Sequence, residues 1–180
     1  MSDSNEEFAQ HEHTEYNGFF KNICNIFSRI SAYIFLPALM SVAIFDIIGR
    51  KFANVGSTQL QELQWHFFFA AVMLSIAYTY LADGHVRIDV LRNRFSPRLR
   101  AWVEILGCLF GLAPLAILLI WAGGDQAWRA FQSGERSAAA LGLEHRWIIK
   151  SVVPLTGLLL MISASRVIGR QVKLLQTAKS

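Results

Sequence analysis

The chain has 180 residues, of which 53% are hydrophobic and only 17% are charged, and its mean hydropathy is +0.35. Soluble domains usually carry about 25% charged residues, and soluble helices keep a polar face, which residues 67–76 lack. The composition therefore excludes an ordinary soluble helical bundle and predicts an all-α integral membrane protein. The formal net charge of +4 comes from basic residues beside the apolar runs, which indicates membrane orientation and not nucleic acid binding.

The N-terminal part of the chain divides into two segments. Residues 1–17 are polar and acidic, lack the apolar run of a cleavable signal peptide, and are predicted to form a disordered tail. Residues 18–29 carry recurrent apolar side chains and predict a short helix that lies at the membrane interface. The first membrane span is then expected to act as an uncleaved signal anchor.

Four uncharged apolar runs follow, and they predict four transmembrane helices within a membrane domain of residues 30–172. A spanning helix needs roughly 20 mainly apolar residues. The second and third runs reach that length unaided, and the first and fourth reach it if their flanking charged residues lie at the interfaces. Residues 173–180 remain as a cytoplasmic tail. The predicted spans are residues 30–50, 63–82, 102–123 and 147–168.

Several local patterns refine these spans. Ser96 and Pro97 are typical of an N-cap and a first helical residue, so the third span is expected to begin one or two turns early. Residues 125–146 are expected to form the largest surface on the side opposite the termini. Gly107-x-x-x-Gly111 is a candidate motif for close helix packing. Three prolines are expected to kink their spans, and they are Pro37, Pro114 and Pro154.

The basic residues predict the orientation. Four spans place both termini on one side, and that side together with the central loop carries 11 of the 17 Lys and Arg residues. Cytoplasmic segments carry the excess of positive charge. Both termini and the central loop are therefore expected to be cytoplasmic.

Two pairs of polar residues with i,i+4 spacing are the first candidate functional groups. Asp46 is the only acid well inside an apolar segment, and Arg50 can form an ion pair with it. Ion or proton coupling and contact with a partner remain alternatives for Asp46. Glu62 and His66 predict either a polar cluster that fixes the start of the second span or a contact with another subunit.

The histidines raise a second possibility, a subunit that holds haem. A membrane haem needs two facing histidines at similar depth, whereas His66 and His145 are predicted on one side and His85 on the other. The sequence contains no nucleotide-binding, protease, hydrolase or zinc motif, so no enzyme activity, catalytic residue, cofactor or metal site is predicted. A haem-bearing or plain membrane anchor of a redox complex remains the alternative to a transporter component.

The stretch from the end of the first span to the start of the third resembles the small permease subunit of TRAP transporters (tripartite ATP-independent periplasmic transporters, DctQ-like). The resemblance covers about residues 30–167 and is most specific at residues 83–91, followed by Ser96-Pro97-Arg98. The positions that carry it are candidate family-motif or subunit-interface residues. They are Asp46, Arg50, Gly56, Ser57, Glu62, Trp65, His66, His85, Arg87, Asp89, Ser96, Pro97 and Pro154.

The resemblance implies a function. Such a subunit supports a large permease subunit in the bacterial inner membrane and works with a periplasmic solute-binding protein. The complex takes up a small organic solute, usually an organic acid, with a sodium gradient, and the sodium sites lie on the large subunit. The chain itself is then a fixed scaffold in contact with membrane lipid. Its external surface would help to dock the binding protein, with Arg129 and Arg136 as candidate docking residues.

Overall fold

The computed structural model describes residues 19–53, 58–81, 96–137 and 142–177, and in these residues the chain is all-helical without a strand. The predicted all-α class is therefore confirmed, while the predicted tail of residues 1–17 lies outside the described residues. The α-helices of the described part are α1 (Phe19–Ile30), α2 (Leu36–Ala53), α3 (Thr58–Leu81), α4 (Pro97–Gly107), α5 (Ala113–Gln132) and α6 (Trp147–Thr177).

Two π-helical segments join four of these helices into two longer ones. Ser31–Phe35 connects α1 to α2, and Cys108–Leu112 connects α4 to α5. Each segment closes with the wide hydrogen bond of a π turn, which the Leu36 N–H donates to the Ser31 carbonyl in the first segment. The helix expected over residues 18–29 is thus present as α1, but it continues into the first span. Its position at the membrane interface stays a prediction.

A proline follows each π-helical segment and explains its position. Pro37 and Pro114 have no N–H, and in a regular α-helix each ring would meet the carbonyl four residues earlier. The wider π turn gives that carbonyl room. Pro154 is different, because it lies within α6, which is α-helical on both sides of it.

Three helices are long and apolar enough to cross a membrane, namely Asn22–Phe52, Arg98–Gln132 and Trp147–Gln176. They correspond to the first, third and fourth predicted spans. The 24 residues of α3 make a helix about 36 Å long, but polar side chains occupy its first turns and it is not among the three. The second predicted span and the orientation of the termini therefore stay predictions.

The ends of the third span differ in part from what the sequence predicts. Ser96 caps α4 by accepting a hydrogen bond from the Leu99 N–H at 3.4 Å, so the early start of this span is confirmed. At the other end α5 continues to Gln132. Residues 125–132 of the expected external segment are therefore helical, and the connection to α6 is limited to residues 133–146.

The helices pack in a row in the order α2, α3, α6, α5, with α3 and α6 as the inner pair. α1 also packs on α3, and α4 packs on α6. In the most apolar 18 residues of each helix, only 6% are buried in Asn22–Phe52 and 11% in Arg98–Gln132, against 33% in Trp147–Gln176. The first and third spans are therefore outer helices with wide exposed apolar faces.

Hydroxyl groups hold the inner pair together through the carbonyls of α3. The Thr156 Oγ1 lies 3.2 Å from the Met73 carbonyl oxygen, and the Ser163 Oγ lies 3.1 Å from the Ala77 carbonyl oxygen. Each hydroxyl shares its proton with a carbonyl of its own helix, that of Val152 or Leu159. Ser31 approaches from the other side and donates to the Ala71 carbonyl at 2.5 Å. All three hydroxyl residues are buried. Such interhelical hydrogen bonds contribute about 0.6 kcal/mol each, and up to about 2 kcal/mol, in membrane helices.

Two glycines allow α5 and α6 to approach closely. A Cβ added at Gly157 would lie 2.8 Å from the Ala116 carbonyl oxygen, and one added at Gly123 would lie 2.7 Å from the Val153 Cγ1. Gly107 and Gly111, the predicted packing motif, have no atom within 4 Å of such a position and are exposed. In the described part of the chain, close packing therefore uses glycines other than those of the predicted motif.

The contacts define two ends of the molecule. The start of α3, the end of α2 and the start of α6 meet at one end, which we call the Glu62 end. The starts of α1 and α4 and the ends of α3 and α6 meet at the other, which we call the termini end. α3 and α6 run parallel, as their paired contacts show, and antiparallel to the two outer helices.

Candidate functional site

The Glu62 end carries two polar clusters, and the first surrounds Asp46 on α2. The Asp46 side chain is fully buried, and its Oδ2 accepts hydrogen bonds from the Arg50 guanidinium and, at 3.4 Å, from the Gln64 Nε2 on α3. The predicted ion pair between Asp46 and Arg50 is therefore confirmed. Asp46 Oδ1 has no hydrogen-bond partner among the described residues.

This cluster ties α2 to α3. A buried carboxylate is strongly unfavourable unless it is paired. Arg50 supplies the opposite charge, and its side chain is half exposed at the surface of the chain. Gln64 supplies the contact to the next helix, which the local spacing around Asp46 could not indicate.

The second cluster surrounds Glu62, at the start of α3 and one residue before the uncharged run. Its Oε1 accepts a hydrogen bond from the Ser137 hydroxyl, and its Oε2 accepts one from the Leu143 N–H at 2.7 Å. These partners lie 75 and 81 residues further along the chain. Glu62 thus connects α3 to the segment between α5 and α6. The sequence predicted a polar cluster at the start of α3 but not this connection.

His66 belongs to the same turn of α3, and it bonds to the main chain and not to the Glu62 carboxylate. Its Nδ1 lies 2.6 Å from the main-chain carbonyl oxygen of Glu62, a geometry in which the Nδ1–H tautomer donates. The Glu62 carboxylate is left free of its own helix. It can therefore reach across to Ser137 and Leu143.

Hydrogen bonds and nearby cations shift the acidity of two carboxylates in this region. The hydrogen bonds from Ser137 and Leu143, aided by the charges of Arg146 and His66, hold the pKa of Glu62 below its ordinary value. A hydrogen bond from Lys150, together with the Lys150 and Arg146 charges, does the same for the pKa of Glu135. Partial desolvation opposes both shifts. Both groups are therefore carboxylates at neutral pH.

Glu135 anchors the start and the end of the connecting segment to each other. Its carboxylate pairs with Lys150 in α6 and, at 3.8 Å, with Arg146. The Arg146 N–H also donates to the Glu135 carbonyl at 3.3 Å. Beneath them the Phe131 and Trp147 rings pack edge to face with centroids 5.4 Å apart. The segment is therefore fixed to both α5 and α6.

The two candidate docking residues are exposed but paired. Arg129 bonds Asp125, four residues earlier on α5, at 2.8 Å, and Arg136 bonds Glu144 at 3.3 Å. Their side chains are 77% and 73% exposed. Exposed pairs of this kind contribute only about 0–1 kcal/mol to stability. They shape the charge of the surface more than they hold the fold.

The remaining sequence candidates do not join these clusters. Trp65 is 72% exposed on α3, in keeping with a ring at the headgroup level. Ser96 and Pro97 start α4, and Pro154 lies in α6. Five candidates fall outside the described residues, and they are Gly56, Ser57, His85, Arg87 and Asp89.

Three helices that are long and apolar enough to cross a membrane indicate an integral membrane protein. A family model described as "Tripartite ATP-independent periplasmic transporters, DctQ component" matches residues 39–174, which is more than half of the chain. The chain therefore belongs to the DctQ family, the small permease component of these transporters. This is a family of transporter components and not of enzymes. No curated protein matches the chain.

Proposed function

We propose that the chain is the fixed scaffold of a transporter in the bacterial inner membrane. It supports a large permease subunit in the sodium-driven uptake of a small organic solute, which we propose to be an organic acid. A periplasmic solute-binding protein delivers this solute. Family membership supports this proposal over the redox anchor. The observation that carries it is the row of helices, whose outer members have few buried residues and present wide apolar faces to lipid or to another subunit.

The scaffold needs α3 to cross the membrane with the other helices. α3 lies between α2 and α6 and touches them along its length, from the Gln64 contact with Asp46 in α2 to the contact of the Ala77 carbonyl with Ser163 in α6 at 3.1 Å. A helix held between two spanning helices in this way shares their depth. The polar side chains of its first turns then lie at the membrane surface.

The Glu62 end is periplasmic in this proposal and the termini end is cytoplasmic. The termini end carries basic residues of α4 and α6, which agrees with the excess of Lys and Arg expected on the cytoplasmic side. Residue 136 is exposed at the Glu62 end and residue 173 is exposed at the termini end. Arg136→Cys should react with a membrane-impermeant thiol reagent in intact cells, and Lys173→Cys only after permeabilisation. The native Cys24 and Cys108 are buried and supply the background. The opposite labelling pattern would overturn the orientation.

Reconstitution tests the scaffold function directly. Liposomes that contain this chain, the large subunit and added binding protein should take up solute when a sodium gradient is imposed. Liposomes that lack either membrane subunit should not. Robust sodium-driven uptake by this chain alone would contradict a scaffold function.

A further inference from the structure

Residues 133–137 and 142–146, the described parts of the connection between α5 and α6, meet at the Glu62 carboxylate. The Ser137 N–H donates to the Leu143 carbonyl at 3.1 Å, which brings the two sides of the segment together. Both carboxylate oxygens of Glu62 enter between these sides, one bonded to the Ser137 hydroxyl and one to the Leu143 N–H. Glu62 therefore holds both sides of the segment at once, from a helix that is remote in sequence.

Gly142 makes this close approach possible. A Cβ at position 142 would lie 3.0 Å from Glu62 Oε2 and would overlap the side chain of Ser137. Arg146 stands near the carboxylate and adds a favourable charge. The Glu62, Ser137, Gly142 and Leu143 group is thus fitted to a carboxylate, and we call it the Glu62 latch.

The latch fixes side chains that face away from the membrane domain. Arg136 and Glu144 flank Ser137 and Leu143 in sequence, and both are more than half exposed. Their mutual ion pair lies on the surface of the same segment. Without the latch, this exposed surface would become ordered only when a partner binds. The entropy lost in that ordering would lower the affinity for the partner.

We propose that Glu62 is a positioning residue, which through the latch preorganises residues 133–137 and 142–146 as part of the docking surface for the solute-binding protein. This rests on the proposed function and deepens it, because it assigns contact with the binding protein to the surface around Arg136 and Glu144 and assigns to Glu62 the role of holding that surface in place. The partner contacts the segment, and Glu62 acts from beneath it.

The test compares Glu62→Ala and Glu62→Gln with Gln61→Ala, which removes an exposed polar side chain from the neighbouring position of α3. Hydrogen exchange of the peptide that contains Leu143, measured on this chain alone in nanodiscs, reports the latch. Affinity for the binding protein, measured on the complex with the large subunit, reports docking. Co-purification of the two membrane subunits reports assembly.

Glu62→Ala should accelerate exchange at Leu143 and weaken binding by about tenfold, as expected when a preordered surface becomes loose. Glu62→Gln keeps the side-chain shape and one acceptor oxygen and should fall between Glu62→Ala and the wild type. Gln61→Ala should match the wild type, and assembly should be unchanged in all variants. This order of effects separates positioning from a general loss of folding.

Three outcomes would overturn the inference. Unchanged exchange in Glu62→Ala means that the carboxylate does not hold the segment. Faster exchange with unchanged affinity means that the segment is not the docking surface. Loss of assembly in Glu62→Gln, with affinity retained by the complexes that do form, assigns the surface to the large subunit instead. If the wild-type complex assembles but binds no binding protein, the proposed function fails, and this is seen before any variant is compared.

Discussion

The two outer helices, α2 and α5, share a local plan but differ in how they are held. Each follows a π-helical segment that begins with a buried residue, Ser31 or Cys108, and each carries a proline and an Asp–Arg pair four residues apart. Asp46 in α2 is fully buried, whereas the side chain of Asp125 in α5 is 51% exposed.

Helical geometry accounts for this difference. Asp46 lies 15 residues after Ser31, and Asp125 lies 17 residues after Cys108. Two additional residues rotate a side chain by about 200° around the helix axis. The same pair of residue types therefore faces the inner helices in α2 and the surroundings in α5.

The consequence is that the outer helices depend on different forces. In a membrane, hydrophobic burial does not drive helix association, so packing and hydrogen bonds must do so. α5 uses close contact with α6 at Gly123 and Gly157, whereas α2 uses polar contacts from Ser31 and Asp46 to α3. Substitutions at the glycines should therefore loosen α5, and substitutions at the polar contacts should loosen α2.

Gly157→Ala should have the largest effect, because the new Cβ would press on the main chain of α5 at Ala116 and Ile120. Overpacking of this kind costs about 1–3 kcal/mol. The thermal midpoint of the purified protein in detergent should fall by several degrees. Gly169→Ala, on the same helix with open space around it, is the matched control and should be neutral or slightly stabilising. Equal midpoints for the two variants would show that α5 is not held by close packing at this site.

Asp46→Ala should have the next largest effect, and Asp125→Ala should have almost none. Removal of Asp46 leaves the partly buried Gln64 amide without this partner, and the loss of such a hydrogen bond costs about 1–2 kcal/mol. Asp125 and Arg129 are exposed, so their pair contributes at most about 1 kcal/mol. A double-mutant cycle of Asp46→Ala with Gln64→Ala should give a coupling energy of about 0.5–1 kcal/mol. Additive effects in this cycle would show that the contact between Asp46 and Gln64 does not stabilise the packing of α2 on α3.

Spacing along the sequence was sufficient to predict the contacts within one helix but not the contacts between helices. The Asp46–Arg50 pair, the Ser96 cap and the helical character of the apolar runs depend on residues within four positions of each other. The contacts of Glu62 with Ser137 and Leu143 join residues 75 and 81 positions apart, which no local pattern encodes. The glycine motif at Gly107 failed as a guide within the chain because spacing along one helix does not say which helix lies opposite it.

Glu62 should contribute to the pH dependence of stability, because its carboxylate holds α3 to the segment between α5 and α6. The folded-state pKa of Glu62 is lowered by Ser137, Leu143, Arg146 and His66. Its contribution is therefore fully present above about pH 4.3, the ordinary value for a glutamate, and is lost as the pH falls through the lower folded-state value. Glu62→Gln should reduce the acid-induced decrease of the thermal midpoint.

Glu135 titrates in the same direction, because Lys150 and Arg146 lower its pKa. Glu135→Gln should therefore remove a second part of the same decrease, and the variant with both substitutions should show the flattest profile below pH 5. An acid profile in Glu62→Gln identical to that of the wild type would exclude Glu62 as a contributor.

The smallest expected effect concerns the exposed pair of α5, which does not hold the fold and is therefore available to a partner. Arg129→Glu places two acids side by side on the surface and should slow uptake a few-fold by changing electrostatic complementarity, without loss of assembly. The exchange of both residues, Asp125→Arg with Arg129→Asp, keeps the net charge and the pair but reverses its direction. If the exchanged variant transports normally and Arg129→Glu does not, net surface charge matters and the position of the arginine does not. If both are slow, a partner reads the arginine at its own position, and if neither is slow, this face of α5 takes no part in docking.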